Sequence, residues 1–102
     1  MILNAFSLNM LALVPARISV SEITVEQAAI LAGEMTSAVG HADTAAVFSA
    51  VLGTTVPTNR ATVSLSQGMT VLVGQYRGPR LPEGATALPE GATIQWLLVT
   101  VE

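Results

Sequence analysis

Thr70-Val71-Leu72-Val73-Gly74-Gln75 is the stretch on which the fold turns. Three β-branched or branched apolar residues stand in a row, with no polar residue between them. A strand with one wet face alternates; an unbroken apolar run belongs to a strand buried on both faces. Val71-Leu72-Val73 therefore predicts a central strand. Ile94 to Val101, again apolar and β-branched, predicts a second one.

Outward from these, Ala61, Val63 and Leu65 alternate with Thr62, Ser64 and Ser66, the pattern of a half-exposed strand, and Gln67-Gly68 turns the chain into the central one. Near the start, Ile2 to Phe6 suits a short buried strand, and Arg17 to Ser21 a second, with Ile18 and Val20 on one face. Helical signals lie between. Ser7 is placed to cap a short helix over Ser7 to Leu13, with Leu8, Leu11 and Ala12 at helical spacing. Thr24 followed by Gln27 has the spacing of a capping box and opens a helix reaching Leu31 or Gly33. After a break at Gly40-His41-Ala42-Asp43, a third helix runs from Asp43 to Leu52, with Val47, Ala50 and Val51 inward and Gly53 as its stop. The hexapeptide Leu81-Pro82-Glu83-Gly84-Ala85-Thr86 returns as Leu88-Pro89-Glu90-Gly91-Ala92-Thr93 and reads as two similar turns. The expected architecture is one small α/β domain over residues 1–102, with a mixed sheet of about five strands and about three helices.

Composition limits function. The 102 residues are 51% hydrophobic and only 11% charged, against roughly 25% charged in an average soluble domain. A domain this small cannot hide that much apolar surface in one copy, so a homodimer is expected. Cysteine is absent, which excludes disulfides, thiolate metal sites and a cysteine nucleophile. Lysine is absent too, which excludes a P-loop lysine and a lysine Schiff base; Arg17, Arg60, Arg77 and Arg80 are the four basic residues. The net charge of −3 disfavours long nucleic acid, whose binding requires many neutralised phosphates. Met1 to Ala16 is apolar and ends Val14-Pro15-Ala16, but it lacks the basic start of a signal peptide. No run approaches the ~18 apolar residues of a membrane helix. A cytoplasmic protein with no membrane partner is expected.

One histidine cannot build a multi-histidine metal site, and His41 with Asp43 is too sparse for a transition metal. A Ser7–His41–Asp triad is available by inventory without supporting spacing. Three segments are more polar than the fold needs. Asn4 to Leu11 carries a strand into a helix start, a natural seat for phosphate or ribose. Gly40-His41-Ala42-Asp43-Thr44 puts the single histidine before a helix. Gln75 to Gly84 is a Gly/Pro-stiffened loop with two arginines leaving a central strand, and Asn59-Arg60 adds a third.

In order along the chain, Asn4-Ala5-Phe6-Ser7-Leu8-Asn9-Met10-Leu11, Gly40-His41, Gly53-Thr54-Thr55 with Asn59-Arg60, and Arg80-Leu81-Pro82-Glu83-Gly84 resemble the viral ring nuclease family that acts as an anti-CRISPR against type III systems, a family also found beside bacterial CRISPR loci. The resemblance implies binding of cyclic tetra-adenylate across a homodimer. It also implies cleavage, without metal or other cofactor, to di-adenylate with 2′,3′-cyclic phosphate ends. His41 would be the general acid and Arg80 the clamp on the scissile phosphate. Asn4, Ser7, Asn9, Arg60 and Glu83 would bind the ligand, and Arg60 and Arg80 from two copies would supply one guanidinium per phosphate. Two departures stand out: Tyr76-Arg77-Gly78-Pro79 enlarges the loop before Arg80, leaving the role of Arg77 open, and repeated turns occupy the place of a longer C-terminal helix. The alternatives are a module that sequesters the ring uncut, a small DNA-binding regulator and a purely structural interaction domain. Loss of activity in His41→Ala separates the enzyme from the first, and a salt-dependent shift of duplex DNA would favour the second.

Overall fold

The computed structural model describes residues 1–102. In chain order it contains β1 (Ile2–Leu3), a single 3-10 turn (Leu8–Met10), β2 (Ile18–Ile23), α1 (Val25–Ala32), α2 (Ala42–Leu52), β3 (Thr70–Arg77) and β4 (Thr93–Val101). The strands form one mixed sheet in the order β1-β3-β4-β2. β1 runs parallel to β3, while β3 with β4 and β4 with β2 pair antiparallel. The α/β class and mixed sheet expected from the sequence are those of the structure, and the two unbroken apolar runs are its central strands. It has four strands and two α-helices where about five and about three were expected.

A further extended segment continues the parallel half. Ile2 donates its N–H to the carbonyl of Thr36 (2.8 Å) and accepts from the N–H of Ala38 (2.8 Å). Residues 36–38, β1 and β3 thus run the same way and end at one edge of the molecule.

The pleat sorts side chains onto two faces. On one, Ile2, Leu72 and Trp96 meet Ala28 and Ala32 of α1 and Ala45, Phe48 and Leu52 of α2. Three of the five helix residues are alanine, so the helices lie close to the sheet. The tightest point is Gly74 in β3. A Cβ there would stand 2.5 Å from Phe48 Cζ and 2.6 Å from Trp96 Cζ3. Phe48 and Trp96 meet edge to face above it, with centroids 5.0 Å apart and planes at 64°, a favoured arrangement of aromatic quadrupoles. On the other face, Leu3, Val71, Val73, Val99 and Val101 pack with Leu65 and are partly covered by Phe6, Met10 and Leu11.

The expected start of α1 and end of α2 follow the sequence. Thr24 Oγ1 accepts from the N–H of Gln27 (3.2 Å), and Gln27 Oε1 from the N–H of Thr24 (3.0 Å), which completes the capping box. Gly53 closes α2 in a left-handed conformation, φ 68°. The inward stripe of α2 is Ala45, Val47, Phe48 and Leu52, and Ala50 is exposed. Phe48, the largest residue of the helix, takes the inward position and rotates Ala50 out.

Two expected elements are absent for a shared reason. The helix expected over Ser7 to Leu13 is only the 3-10 turn, and Ser7 makes no side-chain cap bond. The Ala12 N–H goes to the Leu65 carbonyl (2.9 Å) and the Leu65 N–H to the Met10 carbonyl (2.7 Å). Backbone groups that a helix would need are thereby committed to a bridge with residue 65. The strand expected around Ala61 to Leu65 is reduced to that same bridge. β1 stops at Leu3 because the chain then turns to lay Phe6 over the sheet. No helix is long and apolar enough to cross a membrane.

Replacing Gly74 with alanine inserts a methyl where two rings already touch. Urea unfolding is expected to show a loss of about 1–3 kcal/mol. Trimming the opposing ring (Phe48→Leu) in the same chain is expected to restore part of it, so a fully additive double mutant would refute the packing assignment.

Candidate active site

Ligands of open α/β sheets bind beyond the carboxyl ends of parallel strands, where adjacent strands send their chains to opposite faces. That condition is met here. After β1 the chain passes to the Phe6 face, whereas after residues 36–38 it passes to α2 on the other face. An open cleft of about 770 Å³ lies at this edge. The start of α2 contributes His41, Asp43 and Thr44, the end of β3 contributes Tyr76, and the following loop contributes Arg80 and Glu83.

His41 is the N-cap residue of α2, in extended conformation (φ −116°, ψ 127°), and its side chain makes no capping bond. The imidazole is therefore not consumed by the helix it precedes. The helix ladder begins with the N–H of Ala45 on the His41 carbonyl (3.0 Å), and the amides of Ala42, Asp43 and Thr44 have no intramolecular acceptor. Free amides and the positive end of the helix dipole are thus presented beside the histidine, an environment that favours an anion.

Arg60 arrives by a different route. The Oγ of Ser49, within α2, accepts from the N–H of Val56 (2.8 Å) and donates to the carbonyl of Ala45 (2.8 Å), with the Val56 carbonyl at 3.2 Å. This pins the chain leaving the helix. Asn59 then donates its N–H to the Val39 carbonyl (2.8 Å) and its Nδ2 to the Ser37 carbonyl (2.7 Å). Arg60 consequently runs alongside Gly40, its Cα, Cβ and Cγ each 3.8 Å from where a Gly40 side chain would begin. The Asn59-Arg60 pair is delivered next to Gly40-His41 although no strand starts there.

The loop from β3 to β4 is tied at its neck by Tyr76, whose hydroxyl donates to the Pro79 carbonyl (2.6 Å). Both repeats form the expected turns: Ala85 N–H to Pro82 carbonyl (3.0 Å) and Ala92 N–H to Pro89 carbonyl (3.1 Å). Gly84 and Gly91 hold φ 79° and 80°, the third-position geometry of a type II turn that glycine alone adopts freely. The Gly84 N–H donates to Asp43 Oδ1 (3.0 Å).

His41, Arg80 and Glu83 are thus brought together, with Arg60 beside His41's neighbour. Asn4, Ser7 and Asn9 are not part of this cleft. Asn4 lines a groove of about 400 Å³ on the opposite face, with Phe6, Val20, Val73, Gln75 and Val99. Ser7 and Asn9 are exposed on the 3-10 turn, so the phosphate seat expected at a helix start there lacks its helix. Arg77 also turns to this face: its Nη2 lies 2.9 Å from the Gln75 side-chain amide oxygen. The Ser7–His41–Asp triad does not assemble, since Ser7 lies outside the cleft and Asp43 is bonded to Gly84. Tyr76 and Thr44 were missed from sequence. Extending the period-2 alternation of Leu72 and Gly74 by one step would have placed Tyr76 on the α2 face. No three His, Asp or Glu side chains gather as a metal-binding group. A separate recess of about 450 Å³ between Leu13, Arg17, Leu65 and Glu102 shares no residue with the cleft.

Fold and cleft together define a small α/β protein with a histidine-bearing polar site at the carboxyl edge of a mixed sheet. The STIV B116-like family matches residues 1–93, and the chain belongs to that family. Among solved structures it is similar to B116 of Sulfolobus turreted icosahedral virus, at 26% identity and a TM-score of 0.80, covering 97% of this chain and 96% of that one. No curated protein matches it.

Ser49→Ala leaves the Val56 N–H without its partner. A stability loss of about 1–2 kcal/mol is expected, with amide exchange accelerating at Val56 and Asn59 before the sheet. Unchanged exchange at both would show that Ser49 does not pin this segment.

Proposed function

We propose that this chain is a ring nuclease that binds cyclic tetra-adenylate as a homodimer and cleaves it without a metal, switching off type III CRISPR signalling. The observation that carries the reading is the convergence of His41, Arg80 and Glu83 on one cleft at the amino end of α2. The resemblance of the ordered motifs to the viral type III anti-CRISPR ring nucleases supplies the substrate.

RNA carries its own nucleophile. The ribose 2′-oxygen attacks the adjacent phosphorus, a new P–O2′ bond forms, the P–O5′ bond breaks, and the 2′-hydroxyl proton leaves to solvent. The product ends in a 2′,3′-cyclic phosphate and a 5′-hydroxyl. His41 gives the departing 5′-oxygen its proton. Arg80 clamps the non-bridging oxygens through its two-pronged guanidinium, and the free amides of Ala42 to Thr44 face the same charge. Glu83 orients Arg80 or a ribose hydroxyl, and Arg60 takes a neighbouring phosphate.

The dimer is supported by what one copy leaves uncovered. Val20 is 58% exposed and Leu8 71% exposed, on or beside the sheet face opposite the helices. Asn4 lines that face, and Ser7 and Asn9 lie on the 3-10 turn beside it. Two copies meeting through this face would bury Val20 and bring those polar groups to the rim of a shared ring-binding site.

Incubation with labelled cyclic tetra-adenylate in excess EDTA is expected to yield di-adenylate with 2′,3′-cyclic phosphate ends. His41→Ala should slow it by ~10²–10⁴-fold and Arg80→Ala by a comparable factor. Products bearing 5′-phosphate, or loss of activity with chelator, would refute the mechanism. Tight binding without cleavage would make the protein a sequestering module. Light scattering is expected to give twice the chain mass for the wild type and a single chain mass for Val20→Asp; a wild-type monomer would remove the shared site.

A further inference from the structure

The loop that carries Arg80 and Glu83 is long, spanning all residues between Arg77 and Thr93. Hairpin connections usually take 2–5 residues, and much longer ones are commonly functional. Most of its hydrogen bonds are internal: Tyr76 to Pro79 at the neck, Ala85 to Pro82, and Ala92 to Pro89. Beyond the Tyr76 tie at its neck, the bond from Gly84 N–H to Asp43 Oδ1 joins it to another element, across 41 positions of sequence. Its far end is fixed otherwise, by burial of Ala92 under Gly78.

The two repeats provide an internal comparison. Both form the same turn with glycine at the same φ, yet only Gly84 has a side-chain acceptor. Turn sequence does not create the bond; the position of Asp43 does. Asp43 lies in the first turn of α2, where the helix dipole favours a carboxylate. A second effect opposes it: a carboxylate in a cleft for phosphate repels the ligand. One of its oxygens is committed instead to the Gly84 amide of the facing loop.

We propose that Asp43 is a positioning residue, which holds the Arg80–Glu83 loop against the His41 end of α2 through the Gly84 amide. The proposal builds on the ring nuclease reading, and it gives α2 two linked parts in it. The helix presents the general acid at its cap, and two residues later it anchors the loop bearing the phosphate clamp. Acid and loop anchor are thereby set two residues apart at the start of one helix, and not by a free loop.

Asp43→Ala is expected to lower kcat on cyclic tetra-adenylate by about 10–100-fold, the scale of an ångström-level misplacement, with a smaller change in KM. Asp43→Asn keeps an acceptor oxygen and removes the repelling charge. It should stay within about threefold of wild type, since a neutral acceptor makes a weaker but still directional bond. In ¹⁵N-labelled protein the Gly84 amide should lose exchange protection in Asp43→Ala and keep it in Asp43→Asn and His41→Ala. Asp43→Ser, too short to reach Gly84, carries the same expectation as alanine should the alanine variant fail to fold. Unchanged Gly84 exchange in the alanine or serine variant, or equal damage from asparagine and alanine, would overturn the proposal. If the wild type does not cleave the ring, the ring nuclease reading falls, and the Gly84 amide still decides whether Asp43 holds the loop.

Discussion

The architecture depends on one crowded contact, the edge of Phe48 against Trp96 over the bare backbone of Gly74. Phe48 belongs to α2, Trp96 to β4 and Gly74 to β3, so this contact fixes the helix against both central strands at once. Hydrophobic burial alone would let a helix slide or roll on a sheet, because it is proportional to area and indifferent to direction. A ring seated where only a hydrogen atom fits cannot do so. The roll of α2 about its axis follows, and with it the direction in which His41 leaves the cap.

From that anchor the site is assembled by short-range ties. α2 fixes His41; Ser49, one residue after Phe48, pins the chain that leaves the helix; Asn59 ties that chain back to residues 37 and 39. Each tie satisfies backbone groups that would otherwise lie unpaired in a partly buried connection. Arg60 is an outcome of this route. Residues distant in sequence reach the carboxyl edge because three parallel segments end there, and no single loop has to carry the whole site.

Much of this was legible beforehand, for identifiable reasons. Val71-Leu72-Val73 and Ile94 to Val101 could only be central, since both faces of such a run must be covered. Thr24 with Gln27, and Gly53, are local devices whose geometry needs no tertiary information. Where tertiary pairing overrode local signals, the reading failed. Leu8, Leu11 and Ala12 keep helical spacing, but the bridge to Leu65 claims the Met10 carbonyl and the Ala12 amide; Ala61 to Leu65 alternates with only that bridge to pair with. His41, Arg80 and Glu83 were singled out as polar residues in segments that had no folding need of them. Thr44 and Tyr76 went unmarked because a threonine in a helix and a tyrosine in a strand are ordinary. Nor does spacing in the chain reveal that Asn4 and His41 leave the sheet on different sides.

The duplicated turn has a meaning beyond its geometry. Each copy closes its own hydrogen bond and reverses the chain within four residues, so it is a self-contained unit of length. The first copy lies wholly between β3 and β4, so a unit added or removed there involves no residue of the β3–β4 pairing. The added loop-closure cost of one further copy is small, roughly 0.3 kcal/mol, because it grows only with the logarithm of length. The arm over the cleft can therefore be lengthened or shortened in whole steps without renegotiating the core. The hairpin behaves as an extensible part mounted on a fixed frame, and its reach is a quantity that inheritance can adjust independently of the stability beneath it.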